Sequence, residues 1–443
     1  SYGGGSTRPL LRTGTSNGAI TFGGGGSPPR IDYVAIIGIH FWAHTHDGTV
    51  NNFHAMHFLM PGEGLLIEDC KVEQYGSGIV FTPPEDDPLN AVELRRNVVV
   101  DSFTTLDFHA QGMFASSIEG LLLEENVFDY NGWNADIPGA SANIFRHNIY
   151  LSGNNSNDVQ VVGNIITRGA SHGIQARTGG WVFDNLFARN SISVLISDGV
   201  EQGFSALVEE NVILDGKNIS GTELRGWGIN ANNADSTIVH RNIVANNVDG
   251  DFPRPMDFGA NAGDPVLDLE FTDNIFYNWG GSVRFDGAAD GFHSVHLARN
   301  HIQSDRAQAV LDHAQLPTTF TSADNRLWSE ANPLEFIRMN GAMVDLATWQ
   351  AQVADVGSTR EMITYPDPSR SIARYNAEVL GGSASFEAFT DQVRLQSKDF
   401  WRAEYTAKQV NDWIRAGFGR ELSHIFVDGF ESGSVSAWSS TSP

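Results

Sequence analysis

The chain of 443 residues carries 28 lysine and arginine side chains against 53 aspartates and glutamates, a formal net charge of −25 that disfavours nucleic acid as a partner. Apolar residues make up 41%, enough for a sizeable core, and no stretch reaches the roughly 18 consecutive apolar residues a membrane span needs. A single cysteine, Cys70, excludes an intrachain disulfide and a cysteine-based metal cluster, and Ser1 opens no charged and apolar leader, so any secretion signal would precede this sequence.

Along the chain, the first unusual stretch is HisPheTrpAlaHisThrHisAspGly at 40–48, continuing through His54 and His57. His44 and His46 are expected to share a strand face, as metal ligands often do, with Asp47 adding an oxygen; packing between coils is the competing reading.

From residue 94 onward one phrase recurs: an apolar residue, two variable positions, Asn, then apolar residues at alternate places. The asparagines fall at 97, 126, 164, 185, 211, 242, 274, 300 and 325, separated by 21 to 38 residues. That spread is too irregular for leucine-rich repeats or propeller blades and suits coils whose loops differ in length. Between these phrases lies a second strand, as in GlyIleValPhe from Gly78, HisGlyIleGln from His172 and GlyIleAsnAla from Gly228. Alternating apolar residues put one face inside while Gly and Asn turn the corners, which predicts an all-β, right-handed parallel β-helix over residues 1–335. The asparagine column reads as a stack of internal amides bonded to the backbone at each corner. Asn148 is assigned to a second strand, because HisAsnIleTyr from His147 aligns with HisGlyIleGln from His172.

The coil between Asn126 and Asn164 is the longest, and its excess includes TyrAsnGlyTrpAsnAlaAspIleProGlyAla from Tyr130. Long loops on rigid scaffolds tend to carry binding. The same alignment stacks His147 over His172, Tyr150 over Gln175 and Ser152 over Arg177, gathering imidazole, phenol and guanidinium on one face. Trp133 in the loop reads as a sugar-stacking residue or a staple for the loop, with Asn131 and Asp129 beside it as further substrate contacts.

Beyond about residue 335 the phrase stops, and residues 336–425 read as a partly helical segment, followed by a tail at 426–443. Asp345 predicts the N-cap of a helix through Val353, and Thr406 with Gln409 forms a capping-box pattern for a helix ended by Gly417. The aromatic residues Phe386, Phe389, Phe400, Trp401 and Trp413 are expected to pack on the solenoid, and the segment to cover its end.

The Asn phrases, the second strands and SerHisGlyIleGlnAlaArgThrGlyGly at 171–180 resemble bacterial right-handed β-helix proteins that degrade polysaccharides, a likeness covering roughly residues 30 to 335. LeuAlaThrTrpGlnAla at 346–351 is similar to the closing segment of many such enzymes, and AspGlyPheGluSerGly at 428–433 resembles a tail on exported bacterial proteins. The resemblance implies secreted or periplasmic action on a polysaccharide and leaves the reaction open. Only His172 and Gly173 echo the GlyHisGly element of polygalacturonases, and no lysine lies between Lys71 and Lys217, which disfavours lysine-base lyases.

The reaction expected is β-elimination on a uronic-acid-containing polysaccharide. Removing the C5 proton requires the adjacent carboxylate to be neutralised, with a base at C5 and an acid at the leaving oxygen. Arg177 or Arg168 is the candidate for the carboxylate, His172 or His147 for the base, and Tyr150 for the acid or the base; Gln175 joins the substrate contacts. An acidic protein on an acidic polymer would use a bridging cation such as calcium, with Asp86, Asp87, Asp136 and Asp158 as oxygen donors, though the spacing fixes no ligand set. The alternatives are a glycoside hydrolase using a pair among Asp129, Asp158, Asp184 and Asp198, and a noncatalytic glycan-binding solenoid. A monomer with an anionic polysaccharide as its partner, without nucleic acid or a membrane span, completes the expectation.

Overall fold

Two corners per coil set the architecture. A left-handed backbone residue (Arg96, Glu125, Gly163, Asp184, Glu210, Arg241, Asp273, Arg299, Asp324) precedes each asparagine of the column, and a second follows the next short strand at Asp101, Tyr130, Arg168, Arg189 and Asp215. These bends divide each coil into strands that stack in register on those of the next coil. The structure is a computed structural model and describes residues 7–420 apart from 15–17, 24–29, 157, 198–203, 233–234, 248–252, 261–265, 288–291 and 317–318. Asp198 and the tail at 426–443 therefore lie outside the described residues.

Three sheets result, of 13, 13 and 11 strands among the described residues. Sheet A contains strands such as Val98–Val100, Val127–Asp129 and Ile165–Thr167; sheet B, Gln111–Ala115, His147–Leu151 and His172–Ala176; sheet C, Leu89–Arg95, Ile118–Glu124 and Val159–Val162. Pairing between coils is parallel, and the strands Ile337–Met339 and Ala342–Val344 close sheet B as an antiparallel hairpin. This is the parallel β-helix expected. Its core is columns of stacked side chains, for instance Val99, Phe128, Ile166, Phe187 and Ile213 from successive coils, all buried. Each such side chain contributes on the order of 1.5–3 kcal/mol.

The asparagine column is internal. Each Asn from 97 to 274 donates its backbone N–H and its Nδ2 to Oδ1 of the next asparagine at 2.9–3.0 Å, as Asn97 does to Asn126 and Asn185 to Asn211. Nδ2 also reaches back to a sheet C carbonyl, as from Asn185 to Val161 at 2.7 Å. The stack begins at the backbone N–H of Cys70, which donates to Asn97, and ends where Asn325 meets Ser358 Oγ. Burial pushes the Cys70 thiol up to about 11.

A shorter amide stack occupies the A-to-B corner. Asn131 donates to Asn148 Oδ1 at 2.9 Å and to the Val99 carbonyl, and Asn148 donates to Asn190 at 3.3 Å. Asn148 does sit on a sheet B strand. Asn131, expected to touch substrate, is fully buried in this stack, because a corner with no room for solvent needs an amide to satisfy its backbone groups.

The C-terminal segment departs from expectation in where it packs. α1 (Leu346–Val353), capped by Asp345, does cover the end of the solenoid: buried Trp349 donates its indole N–H to His313 Nε2 at 3.1 Å. α2 (Ile372–Glu378), α3 (Phe386–Val393) and α4 (Ala407–Gly417, capped by Thr406) instead lie along the flank of sheet A. Sheet A is apolar on both faces, so Val98, Val127, Ile165, Leu186, Val212 and Ile243 point outward and are buried by Ile372, Phe386, Phe389, Val410 and Ile414. Phe400 stays exposed. Strands Ile337–Met339 and Thr359–Arg360 extend sheets B and A beyond residue 335.

Ion pairs fix this layer to the sheet. Buried Asp129 accepts from Arg168 Nε at 2.8 Å and from Arg394 Nε at 2.6 Å, while Arg394 also holds Asp101 at 2.8 Å. Burial alone would raise the Asp129 pKa; the charges and hydrogen bonds of Arg394 and Arg168 outweigh it and lower it. Asp129 and Arg168, expected at the substrate, are thus consumed by the seam under α3, where Arg168 also lies against Phe386. Asp184 is likewise held, by Asn411 and Arg415 of α4. Replacing Arg394 by methionine leaves Asp129 and Asp101 with one cation fewer. It should cost about 3–5 kcal/mol in urea unfolding; a change below ~1 kcal/mol would contradict the seam as described.

Candidate functional site

The outer face of sheet B, which no helix covers, holds a groove of about 560 Å³. Its floor is a column in register, His57, Val80, Phe114 and Tyr150, continued by Gln175. A second column runs beside it: His54, Ser77, Gln111, His147 and His172. Loop residues 50–53, Thr104, Phe108 and His109 form the walls. The oversized coil supports one wall from behind, since Arg146 donates to the carbonyls of Leu106 and Phe108 and His109 Nδ1 bonds the Phe145 carbonyl at 3.1 Å.

The expected stacking is present: His147 pairs with His172 and Tyr150 with Gln175, and Arg177 N donates to the Leu151 carbonyl, placing it next along the ladder. Tyr150 lines the groove, its ring edge-on to Phe114 at 5.3 Å. The Arg177 guanidinium lies 5.9 Å from the Tyr150 ring centre.

His147 and His172, expected as catalytic groups, are buried and are not among the residues lining the groove. Both are 3% exposed, their rings are 4.7 Å apart, and His147 packs 5.1 Å from Tyr150. Burial drives His172 down to about 3, and burial, with His172, His109 and Arg177 nearby, drives His147 well below the ordinary imidazole value, so both are neutral. Their first atoms are outward on a strand, but the corner Ser171 and Gln111 close over them through hydrogen bonds to Nδ1 of each ring. Gln175 is also mostly buried.

Trp133 is corrected to the second of its two readings. Its indole N–H donates to the Arg168 carbonyl at 2.8 Å, its ring lies 4.6 Å from Tyr130, and Lys217 Nζ sits 4.1 Å from the ring centre. It staples the long loop.

The histidine stretch at 40–57 disperses. His40 bonds Glu73, His44 lies in a turn against Trp42, and His46 is wedged between Phe53 and Phe103 with Nε2 on the Phe103 carbonyl. His44 and His46 do not share a strand, and among the described residues no three His, Cys, Asp or Glu side chains converge as metal ligands. Of the carboxylates considered for calcium, Asp87 is paired with Arg30 and Asp158 accepts from the Gly120 N–H on the sheet C side.

Sequence reasoning missed the groove-lining role of His54, His57, His109, Gln111 and Phe114. The alternation HisAlaMetHisPhe at 54–58 was its available signal: Met56 and Phe58 are core, which sends His57 outward. Burial lowers His57, and burial with the adjacent His57 lowers His54 to about 4. One further property stands out. Among the described residues no Asp or Glu lines this groove, in a chain with 53 of them. Comparison of the chain with protein-family models, with curated proteins and with solved structures finds no match.

Proposed function

We propose that the protein is a polysaccharide lyase that cleaves a uronic-acid-containing chain laid in the sheet B groove. The observation carrying this reading is the acid-free lining, which spares an anionic polymer the repulsion the rest of the molecule would impose. In this reading Tyr150 is the proton-transferring group, His109, an exposed imidazole of the wall, is the partner acid or base, and Arg177, which is not among the groove-lining residues but stands 5.9 Å from the Tyr150 ring centre, is the cation that offsets the uronate carboxylate. The base removes the proton at C5, its electrons form the C4–C5 double bond, the C4–O bond breaks, and the acid protonates the leaving oxygen. His57 lies three coils from Tyr150, about 14 Å at the usual strand spacing, and serves a neighbouring sugar. A secreted or periplasmic location is part of this reading.

The lyase is favoured over the paired-carboxylate hydrolase because Asp129 and Asp184 are bound under the helical layer and, among the described residues, no carboxylate lines the groove.

On a panel of uronate polysaccharides, product double bonds should appear as ultraviolet absorbance. Tyr150→Phe should lower kcat about 10²–10⁴-fold with KM nearly unchanged, as expected for a lost acid–base group. Cleavage that yields reducing ends without that absorbance, or full activity in both Tyr150→Phe and His109→Gln, would sink the reading.

A further inference from the structure

We propose that a second pocket, between α3, the 3₁₀ turns Lys398–Phe400 and Ala403–Tyr405 and the first coils of sheet A, binds the carboxylate of an acidic saccharide away from the sheet B groove. This cavity of about 510 Å³ is lined by Arg8, Lys71, Arg394 and Arg402, with His40 at its wall, and among the described residues by no Asp or Glu. Four strongly basic side chains converge on one cavity in a chain that has 28 among 443 residues.

The carboxylates that partner three of them do not line the cavity: Asp69 holds Arg8, Glu73 holds Lys71, and Asp101 with Asp129 holds Arg394. Arg402 differs. Among the described residues its guanidinium donates to Gln392, to the side-chain oxygen at 3.1 Å and the backbone carbonyl at 2.8 Å, and lies over the Tyr405 ring, with no acid paired to it. Fixed by two neutral acceptors beside Lys71 and Arg394, it is preorganised for an oxyanion.

The rim selects the kind of anion. Phe400 is 53% exposed and Leu395 is 59% exposed, and both line the same cavity. An aromatic face next to a guanidinium suits a sugar ring that carries a carboxylate better than a bare inorganic ion. The class of ligand follows the polysaccharide reading of the groove, and the pocket would hold the same polymer at a distance from cleavage.

Calorimetric titration of the full chain with glucuronate, glucose and inorganic sulfate tests this. Glucuronate should bind, glucose and sulfate should bind about tenfold more weakly or less, and Arg402→Gln should weaken glucuronate by about tenfold. Phe400→Ala, at an exposed position that keeps the fold, should weaken it about three- to tenfold. Weakening of glucuronate by Arg402→Gln assigns the binding to this pocket, whereas weakening by Arg177→Gln alone would assign it to the groove, so failure of the groove reading and failure of this one are distinguishable. No glucuronate binding, equal binding of sulfate, or unchanged affinity in both pocket variants overturns the proposal.

Discussion

Asn185→Ala should lower the unfolding free energy by about 3–6 kcal/mol, the largest loss expected from any single change at a polar position. The amide removed accepts from both Asn164 N and Asn164 Nδ2 at 2.9 Å and donates to Val161 O and Asn211 Oδ1. All of this is inside the solenoid, where water cannot replace it, and each orphaned buried group costs about 1–3 kcal/mol. Because the stack is continuous from Cys70 to Ser358, the loss should be felt by the coils on both sides. Asn185→Asp keeps the acceptor, removes the donor and buries a charge, so it should be at least as damaging. The control is exposed Asn51, whose replacement by alanine should change stability by less than about 0.5 kcal/mol. Urea unfolding measures all three, and near-equal midpoints for Asn185→Ala and Asn51→Ala would refute the internal stack.

Acidification should destabilise the fold steeply between about pH 6.5 and 4. Burial lowers His172 and His313 to about 3 and His54 and His301 to about 4, and takes His147 well below its usual value. The unfolded chain titrates these groups near 6.5, so as pH falls it takes up protons that the folded chain refuses, and stability falls with pH. Five such groups give an upper slope of about 7 kcal/mol per pH unit. Partial exposure of His54 and His301 reduces it, and Asp215, which burial raises to about 6, opposes it by one proton. His313 makes the effect mechanical as well. Its Nε2 accepts from Trp349, so protonating it there removes the contact that docks α1 on the last coil. Urea midpoints taken across this range should fall sharply, and His172→Gln should shallow the slope by about 1.4 kcal/mol per pH unit. A flat profile would mean that these imidazoles are not buried as described.

The solenoid was legible in the sequence because its signal repeats: each asparagine follows a left-handed corner residue, and the flanking alternation places Val99, Phe128 and Ile166 inside. The pairing of His147 with His172 and of Tyr150 with Gln175 was readable for the same reason, since parallel stacking in register turns an alignment of phrases into spatial contact. What the alignment could not give is depth. His147 and Tyr150 lie on the same strand and the same side, yet the imidazole is closed over at the corner while the phenol reaches the groove. Nor could local spacing show that Asp129 and Arg168 meet Arg394, some 265 residues further along for Asp129. The position of the helical layer did carry a signal. ValValVal at 98–100, ValIleLeu at 212–214 and IleValAla at 243–245 are apolar throughout, the mark of a strand covered on both faces.

The most direct test of the central claim is the fate of water oxygen during cleavage. With a uronate polysaccharide digested in water enriched in heavy oxygen and sampled before anomeric exchange, the products should together weigh as much as the substrate, each cut leaving a C4–C5 double bond and no label at the new ends. One heavy oxygen gained per cut, with saturated ends, would contradict it.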